Sequence, residues 1–195
     1  DPEYAAKYAD GADKSDVVGK VKQAIDARHA GGLTGTYVSG GAQVRPQSGH
    51  ALGGGEFGLE HYATNWLTWH AALSGFWGLD DSYGGLNAGI RAQTPSRIAP
   101  FGGIGMFHGV SRTTKPADSD GVDNDDDDRI DERGEKKSTF DAWMSAVYPE
   151  LGAHLWINGK LRLTGYGRYL VTTHGRDQDE WLLGVQVTKF RRGPE

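Results

Sequence analysis

Hydrophobic and polar residues alternate with a period of two along most of the chain after residue 33. In residues 66–79, one set of alternate positions is apolar or small and includes Leu73 and Trp77. The other set includes polar residues such as His70. Because successive side chains of a β-strand point to opposite faces, this pattern predicts a strand with one apolar face. The apolar face extends over about 13 residues, which exceeds an ordinary globular strand and suits a tilted strand that crosses a membrane.

The same alternation predicts further strands, and Asn158-Gly159 is a strong signal for a hairpin turn between two of them. The predicted strands are 34–45, 54–63, 66–79, 83–94, 99–112, 142–158, 161–171 and 181–188. The connections after every second strand are short, and the others are mostly longer and polar. This asymmetry is typical of outer-membrane barrels. The sequence therefore predicts an all-β fold, an eight-stranded antiparallel up-and-down transmembrane β-barrel.

Residues 1–32 follow a different pattern from the barrel. Val17, Val18, Val21 and Ile25 are spaced as on one face of a helix, which should end near Gly31-Gly32. We expect this segment to be helical or extended and to contact the rim, the lumen or a partner. The predicted organisation is 1–32 as an N-terminal segment, 33–190 as the barrel with a loop at 113–139, and 191–195 as a tail.

Ionisable residues concentrate on the polar face of the predicted strands, opposite Leu, Val, Ile, Ala and Trp. These residues are Glu56, Glu60, His70, Arg91, Glu150, His154, Arg162 and Arg168. An eight-stranded barrel is just wide enough inside for side chains. Because an unpaired buried charge is costly, three acids and three arginines should pair there and fill the lumen. The alternative is a soluble sandwich that exposes these charges to water.

Residues 33–190 resemble a small eight-stranded outer-membrane barrel of the OmpA/OmpX type. The resemblance rests on glycine-rich alternating segments such as GGGEFGLEHYAT, LTWHAALSGFWGL and KLRLTGYGRYLV. It implies a bacterial outer membrane of the Gram-negative type, contact with outer-membrane lipid, periplasmic termini and an exterior loop at 113–139. Other envelope proteins could then bind through residues 1–32 or the acidic loop.

The net charge of −5 is unevenly distributed. Residues 118–135 hold ten acidic residues and two arginines, whereas the rest of the chain has a net charge of +3. No broad basic surface is available for nucleic acid. The absence of cysteine excludes disulfides, thiol catalysis and Cys-ligated metal sites.

Carboxylates at alternate positions of the acidic segment suggest a site for a hard cation such as calcium. The segment resembles EF-hand-like and thrombospondin type 3 calcium loops, although Asp128 stands where glycine is expected and Gly134 occupies the twelfth position. The resemblance implies ligands among Asp118, Asp120, Asp123, Asp125, Asp127, Asp131 and Glu132. The alternative is a solvated acidic loop whose like charges repel.

His108 and Ser111 are the candidates for a lipid-modifying hydrolase, since some small outer-membrane barrels act on lipid A. Strand alternation puts the two side chains on opposite faces, whereas a serine nucleophile needs a histidine within hydrogen-bond reach. We therefore predict a structural or interaction role without enzymatic activity. A soluble or periplasmic barrel that binds a ligand, and a membrane-embedded lipid hydrolase, stay open as alternatives.

Overall fold

Eight antiparallel strands pair in chain order, and the last pairs with the first to close a barrel. The computed structural model describes residues 17–46, 51–79, 81–117 and 136–192. The elements are α1 (Val17–Ile25), a 3₁₀ turn (Arg28–Ala30), β1 (Leu33–Val44), β2 (Ala51–Tyr62), β3 (Leu67–Trp77), β4 (Asp81–Gln93), β5 (Ile98–Pro116), β6 (Lys136–Asn158), β7 (Leu161–Thr172), a second 3₁₀ turn (Arg176–Gln178) and β8 (Glu180–Arg192). In the described ranges, no helix has the length and apolar character needed to cross a bilayer.

The strands show the alternation that the sequence predicts. Along β3 and β7, buried and more exposed residues follow one another almost without interruption. Large apolar residues point outward from all eight strands. They include Val38, Phe57, Leu73, Leu86, Ile104, Leu151, Leu163 and Leu183, each at least 36% exposed. The outer wall is therefore apolar, and the polar residues of the same strands face the barrel axis.

The hairpin of β5 and β6 extends further than predicted. Residues 113–139 were expected to form a loop, but β5 continues to Pro116 and β6 starts at Lys136. Cross-strand pairing continues through Thr113 with Thr139 and Lys115 with Lys137. Hydrogen bonding between the two strands does not require a buried face, so the ladder persists where the alternating pattern fades. At the chain end, β8 runs to Arg192, beyond the predicted barrel boundary at 190.

Glycine allows β2 and β3 to approach closely near the loop end of the barrel. A Cβ atom at Gly54 would collide with the carbonyl oxygen of Gly75 and lie 2.6 Å from Cα of Phe76, both of which are backbone atoms. A Cβ atom at the adjacent Gly53 would meet nothing within 4 Å. The two neighbouring positions therefore differ sharply in the space available.

We expect Gly54→Ala to lower the free energy of unfolding by about 1–3 kcal/mol, because the strand backbones must move apart. Gly53→Ala is the matched control and should change it by less than about 0.5 kcal/mol. Urea unfolding in detergent micelles, followed by tryptophan fluorescence, measures both variants. Equal midpoints for the two would contradict the close approach at Gly54.

Candidate functional site

The structure places the eight predicted interior residues inside the barrel, each no more than 4% exposed. They come from β2, β3, β4, β6 and β7, whose alternate side chains converge on the axis. They are Glu56, Glu60, His70, Arg91, Glu150, His154, Arg162 and Arg168. The candidate site is therefore the interior itself, and its chemistry depends on how these charges pair.

Arg91 occupies the centre of the charged interior. Its Nε and Nη2 atoms donate to the two carboxylate oxygens of Glu150 at 2.8 and 2.9 Å. The same guanidinium lies 3.5 Å from Glu60 and donates to the amide oxygen of Gln186 at 3.3 Å. The bidentate arrangement is the strongest geometry available to an arginine and a carboxylate. Arg91 thereby joins β4 to β2, β6 and β8 across the barrel.

The other two arginines extend this contact in both directions. Arg162 pairs with Glu60 and donates to the hydroxyl of Tyr62 at 2.7 Å. Arg168 donates to Glu150 at 2.9 Å and to Glu56 at 2.6 Å. The result is a charge chain of alternating sign, Arg162–Glu60–Arg91–Glu150–Arg168–Glu56. Opposite charges cancel within it, which makes burial of six ionised groups tolerable.

Uncharged polar residues add further hydrogen bonds to the two outermost carboxylates. Glu56 accepts from Ser74 at 3.2 Å and from Asn87 at 2.6 Å. Glu60 accepts from Gln186 at 2.9 Å and from Thr188 at 3.4 Å. The sequence puts Ser74, Gln186 and Thr188 on the inward-facing register, but nothing in it identifies them as partners of these carboxylates.

The two interior histidines lie beside the charge chain. His154 Nδ1 hydrogen-bonds with the hydroxyl of Thr164 at 2.8 Å, and its ring stacks on Phe101 at 4.3 Å. His70 Nε2 lies 3.4 Å from the hydroxyl of Tyr148. Both histidines thus pack as part of the filled interior.

Apolar layers close the interior on both sides of the charge chain. Toward the loop end, the layer contains Leu52, Phe76, Tyr83, Phe107, Met144, Leu170 and Leu182, which belong to one buried cluster. Toward the short turns, Tyr62, Trp156 and Phe190 pack together, with ring centroids 5.1–5.9 Å apart. The guanidinium carbon of Arg162 lies 5.0 Å from the Phe190 ring centroid. Side chains therefore occupy the lumen through its whole described depth.

Residues 26–32, which we call the strap, cover the mouth at the short-turn end. At one end, the backbone N–H of Ala27 donates to the carbonyl of Pro95 at 3.2 Å. At the other end, the N–H of Gly32 donates to the carbonyl of Tyr62 at 2.9 Å. Between them, the His29 ring packs edge-on against Trp156, with centroids 5.3 Å apart. The strap therefore links the turn between β4 and β5 to the end of β2, two strands away around the barrel, and packs on the aromatic residues at this end.

Arg45 makes a smaller ion-pair cluster at the loop end. Its Nε donates to Glu180 at 2.7 Å, and its Nη1 pairs with Asp81. These contacts link the first residues of β4 and β8 to the residue that follows β1. The cluster therefore ties three strands together where their connecting loops begin.

The outer wall has a shallow depression of about 750 Å³ across β3 to β7. Most of its lining consists of outward-facing apolar side chains: Trp69, Ala71, Ala88, Ile90, Ile104, Met106, Val147, Pro149 and Val171. Such a surface suits acyl chains, since it offers apolar contact and little hydrogen bonding.

The residues of the predicted calcium site lie outside the described residues. This applies to Asp118, Asp120, Asp123, Asp125, Asp127, Asp131 and Glu132. In the part of the chain that the structure describes, no group of three or more histidine, aspartate or glutamate residues is arranged to hold a metal ion.

His108 contacts a different serine from the one considered in the sequence. Its Nδ1 hydrogen-bonds with the hydroxyl of Ser145, directly opposite on β6, at 2.8 Å. The ring also stacks on Trp143, with centroids 5.1 Å apart. His108 is exposed on the outer wall, whereas the hydroxyl oxygen of Ser111 is buried. The predicted separation of His108 and Ser111 agrees with this arrangement.

Comparisons with known proteins identify the fold. No family model and no curated protein matches the chain. Among solved structures, it is similar to the N-terminal β-barrel domain of Pseudomonas aeruginosa OprF, with a TM-score of 0.53 and 12% identity over 83% of this chain and 98% of that one. It also matches Ail, the attachment invasion locus protein of Yersinia pestis, with a TM-score of 0.49 and 11% identity over 81% of this chain and 99% of that one. At these identities, the likeness extends to the fold alone.

Proposed function

We propose that this chain is an integral outer-membrane barrel with a closed lumen and a structural or interaction role. The observation that carries the proposal is the polarity of the wall: large apolar side chains point outward from all eight strands, and six paired charges lie inside. Contact between such a wall and acyl chains is favourable, whereas its exposure to water costs free energy. A soluble barrel would have the reverse polarity. The fold shared with OprF is consistent with the proposal.

The loop end of the barrel faces the cell exterior in this proposal. Short turns at one rim and longer connections at the other are the arrangement that outer-membrane barrels use, with the short turns in the periplasm. The acidic loop would then lie on the cell exterior, and residues 1–32 would lie on the periplasmic side. Either could bind other envelope proteins while outer-membrane lipid surrounds the wall.

Fractionation of the native source tests the location. The protein should partition with outer membrane, require detergent for extraction and migrate differently on SDS gels with and without boiling. A protein that stays monodisperse in buffer without amphiphile would support the soluble ligand-binding alternative and overturn the proposal.

The closed lumen predicts the absence of ion conductance. The charge chain and the apolar layers on either side of it occupy the described interior, so we expect no continuous aqueous path there. In planar bilayers, the reconstituted full chain should give the same current as bilayers that received detergent alone. Stable stepwise currents that increase with protein concentration would contradict a filled interior.

Calcium binding by the acidic loop remains a prediction from the sequence. If the carboxylates of residues 118–135 hold calcium, the ion should raise the melting temperature and chelator should reverse the effect. Replacement of Asp123, Asp125 and Asp127 by asparagine should abolish the shift. Identical melting of the unmodified protein in calcium and in chelator would support the solvated-loop alternative.

The pair formed by His108 and Ser145 is the one observation that favours a lipid hydrolase. A serine and a histidine on the outer wall could reach an acyl ester, but Ser145 is the only hydrogen-bond partner of the His108 ring among the described residues. A catalytic base is normally oriented by a third group. We therefore expect no phospholipid hydrolysis in mixed micelles. Turnover that is lost in Ser145→Ala but retained in Ser111→Ala would establish the hydrolase instead.

A further inference from the structure

Helix α1 exposes an apolar stripe at the short-turn end of the barrel. Val17, Val18, Val21 and Ile25 are between 51 and 68% exposed. With 3.6 residues per turn, these positions fall within an arc of about 100° on one side of the helix. An amphipathic helix ordinarily buries such a stripe. Within the described chain nothing covers it.

The C-terminal end of α1 is fastened to the barrel. The N–H of Arg97, in the turn between β4 and β5, donates to the carbonyl of Ile25 at 2.6 Å. Asp26 forms a β-bridge with Ser96 of the same turn. The C-terminal end of α1 is therefore fixed at the rim, and this attachment sets the level of the helix along the barrel axis.

The apolar outer wall begins at the same rim. Ile98 follows the turn that holds α1 and is 67% exposed. Trp66, in the turn between β2 and β3, is 56% exposed, and Ile157, near the end of β6, is 46% exposed. The stripe of α1 and these wall residues are thus exposed at the same rim, next to the surface that meets hydrocarbon in the proposed function. A single apolar phase can cover both.

The residues that the structure describes at this rim carry a net positive charge. The sequence of α1 contains two lysines and no acidic residue, and Lys22 is exposed. Asp26, the one acidic residue in the strap and the three short turns, pairs with Arg28 at 2.9 Å. The exposed basic residues at the same end of the barrel are Arg97, Lys160, Lys189 and Arg191. Long basic side chains at this level can reach phosphate groups while their stems cover apolar surface.

We propose that α1 lies in the headgroup region of the leaflet at the short-turn rim, bound to anionic phospholipid. Its apolar stripe faces the acyl chains, and Lys22, together with the basic rim, contacts the phosphates. The helix then holds the barrel at a defined depth in the bilayer. This inference rests on the proposed function, because the barrel must span a bilayer for the helix to meet a leaflet.

Single-cysteine labelling tests the position of α1, since the natural chain has no cysteine. Val21→Cys tests the stripe, and Gln23→Cys, on the other side of the helix by register, is the matched control. Leu73→Cys, from the outer wall, reports on the barrel itself. Each full-length variant carries an environment-sensitive fluorophore in vesicles of phosphatidylcholine and phosphatidylglycerol, after gel mobility with and without boiling has verified its folding.

The label at Val21 should be quenched severalfold more than the label at Gln23 by lipids with a nitroxide near the headgroup, and should be protected from aqueous iodide. Omission of phosphatidylglycerol, or Lys22→Glu, should weaken this protection. Equal iodide quenching at Val21 and Gln23 would overturn the inference. Protection of Val21 from both quenchers would also overturn it, because a protein partner or a second copy would then cover the stripe.

The label at Leu73 separates the two proposals. Quenching at Leu73 by lipids with a mid-chain nitroxide, without lipid quenching at Val21, would leave the membrane barrel standing and remove the leaflet-bound helix. If the label at Leu73 is open to iodide and insensitive to lipid, the proposed function itself fails.

Discussion

Arg91→Met should lower the free energy of unfolding by about 3–5 kcal/mol, the cost of removing one partner from a buried ion pair. Arg91 is fully buried and joins Glu150 to Glu60 in the middle of the charge chain. Without it, three carboxylates face two guanidiniums in an interior that water does not reach freely. The unfolding midpoint in urea, measured in detergent micelles by tryptophan fluorescence, gives the size of the loss.

Two further variants make this result specific to the ion pair. Arg176→Met removes the same side chain from an exposed 3₁₀ turn and should change stability by less than about 0.5 kcal/mol. Adding Glu150→Gln to Arg91→Met should recover part of the loss, because it removes the uncompensated charge. A loss below about 1 kcal/mol for Arg91→Met would show that the charge chain does not hold the interior together.

Leu151→Arg should destabilise the barrel in lipid vesicles by about 2–4 kcal/mol, the cost of an arginine on the lipid face near the bilayer midplane. Leu151 points outward, is 71% exposed, pairs with Gly102 and Gly167, and lies near the centre of the apolar stretch of β6 from Trp143 to Ile157. The side chain has no water to contact at this depth, so it must deform the bilayer or stretch toward the surface. Unfolding in urea from vesicles measures the effect.

Ile157→Arg is the matched control for the depth dependence. Ile157 lies on the same outward face of β6, next to the short turn, and is 46% exposed. An arginine near the interface should cost only about 0–1 kcal/mol. In a soluble barrel both substitutions would place an arginine in water and cost little. Equal, small effects at the two positions would therefore contradict the membrane-spanning barrel.

The strand faces could be predicted from the sequence because alternation is a local property. Residues such as Leu67, Leu151 and Leu163 share one register with other apolar residues, and Arg162 and Glu150 share the other. The backbone of a strand sends these sets to opposite sides whatever its neighbours are. Alternation by itself allows either set to face inward, and the structure shows the charges buried and the apolar set outward.

The extent of pairing and the identity of partners could not be predicted in the same way. The ladder of β5 and β6 continues through Lys115 and Lys137, in a stretch where the sequence shows no apolar alternation. His108 lies opposite Ser145, 37 residues away, and the contact depends on the register of the two strands. Register depends on the length of the connecting loop and on closure of the sheet. The alternating pattern within one strand specifies neither.

By itself, the sequence determined that this chain forms amphipathic strands, that their charges are nearly balanced on one face, and that a short helix precedes them. Only the tertiary structure decided that Arg91 meets Glu150, 59 residues away, and that the end of α1 is held by the turn at Ser96. Closure of the barrel turns the inward faces of β4 and β6, which flank β5, toward one interior that is a few side chains wide. The geometry of the closed barrel decides which charges pair. From the sequence alone, every acid on the inward face was an equally suitable partner for every base.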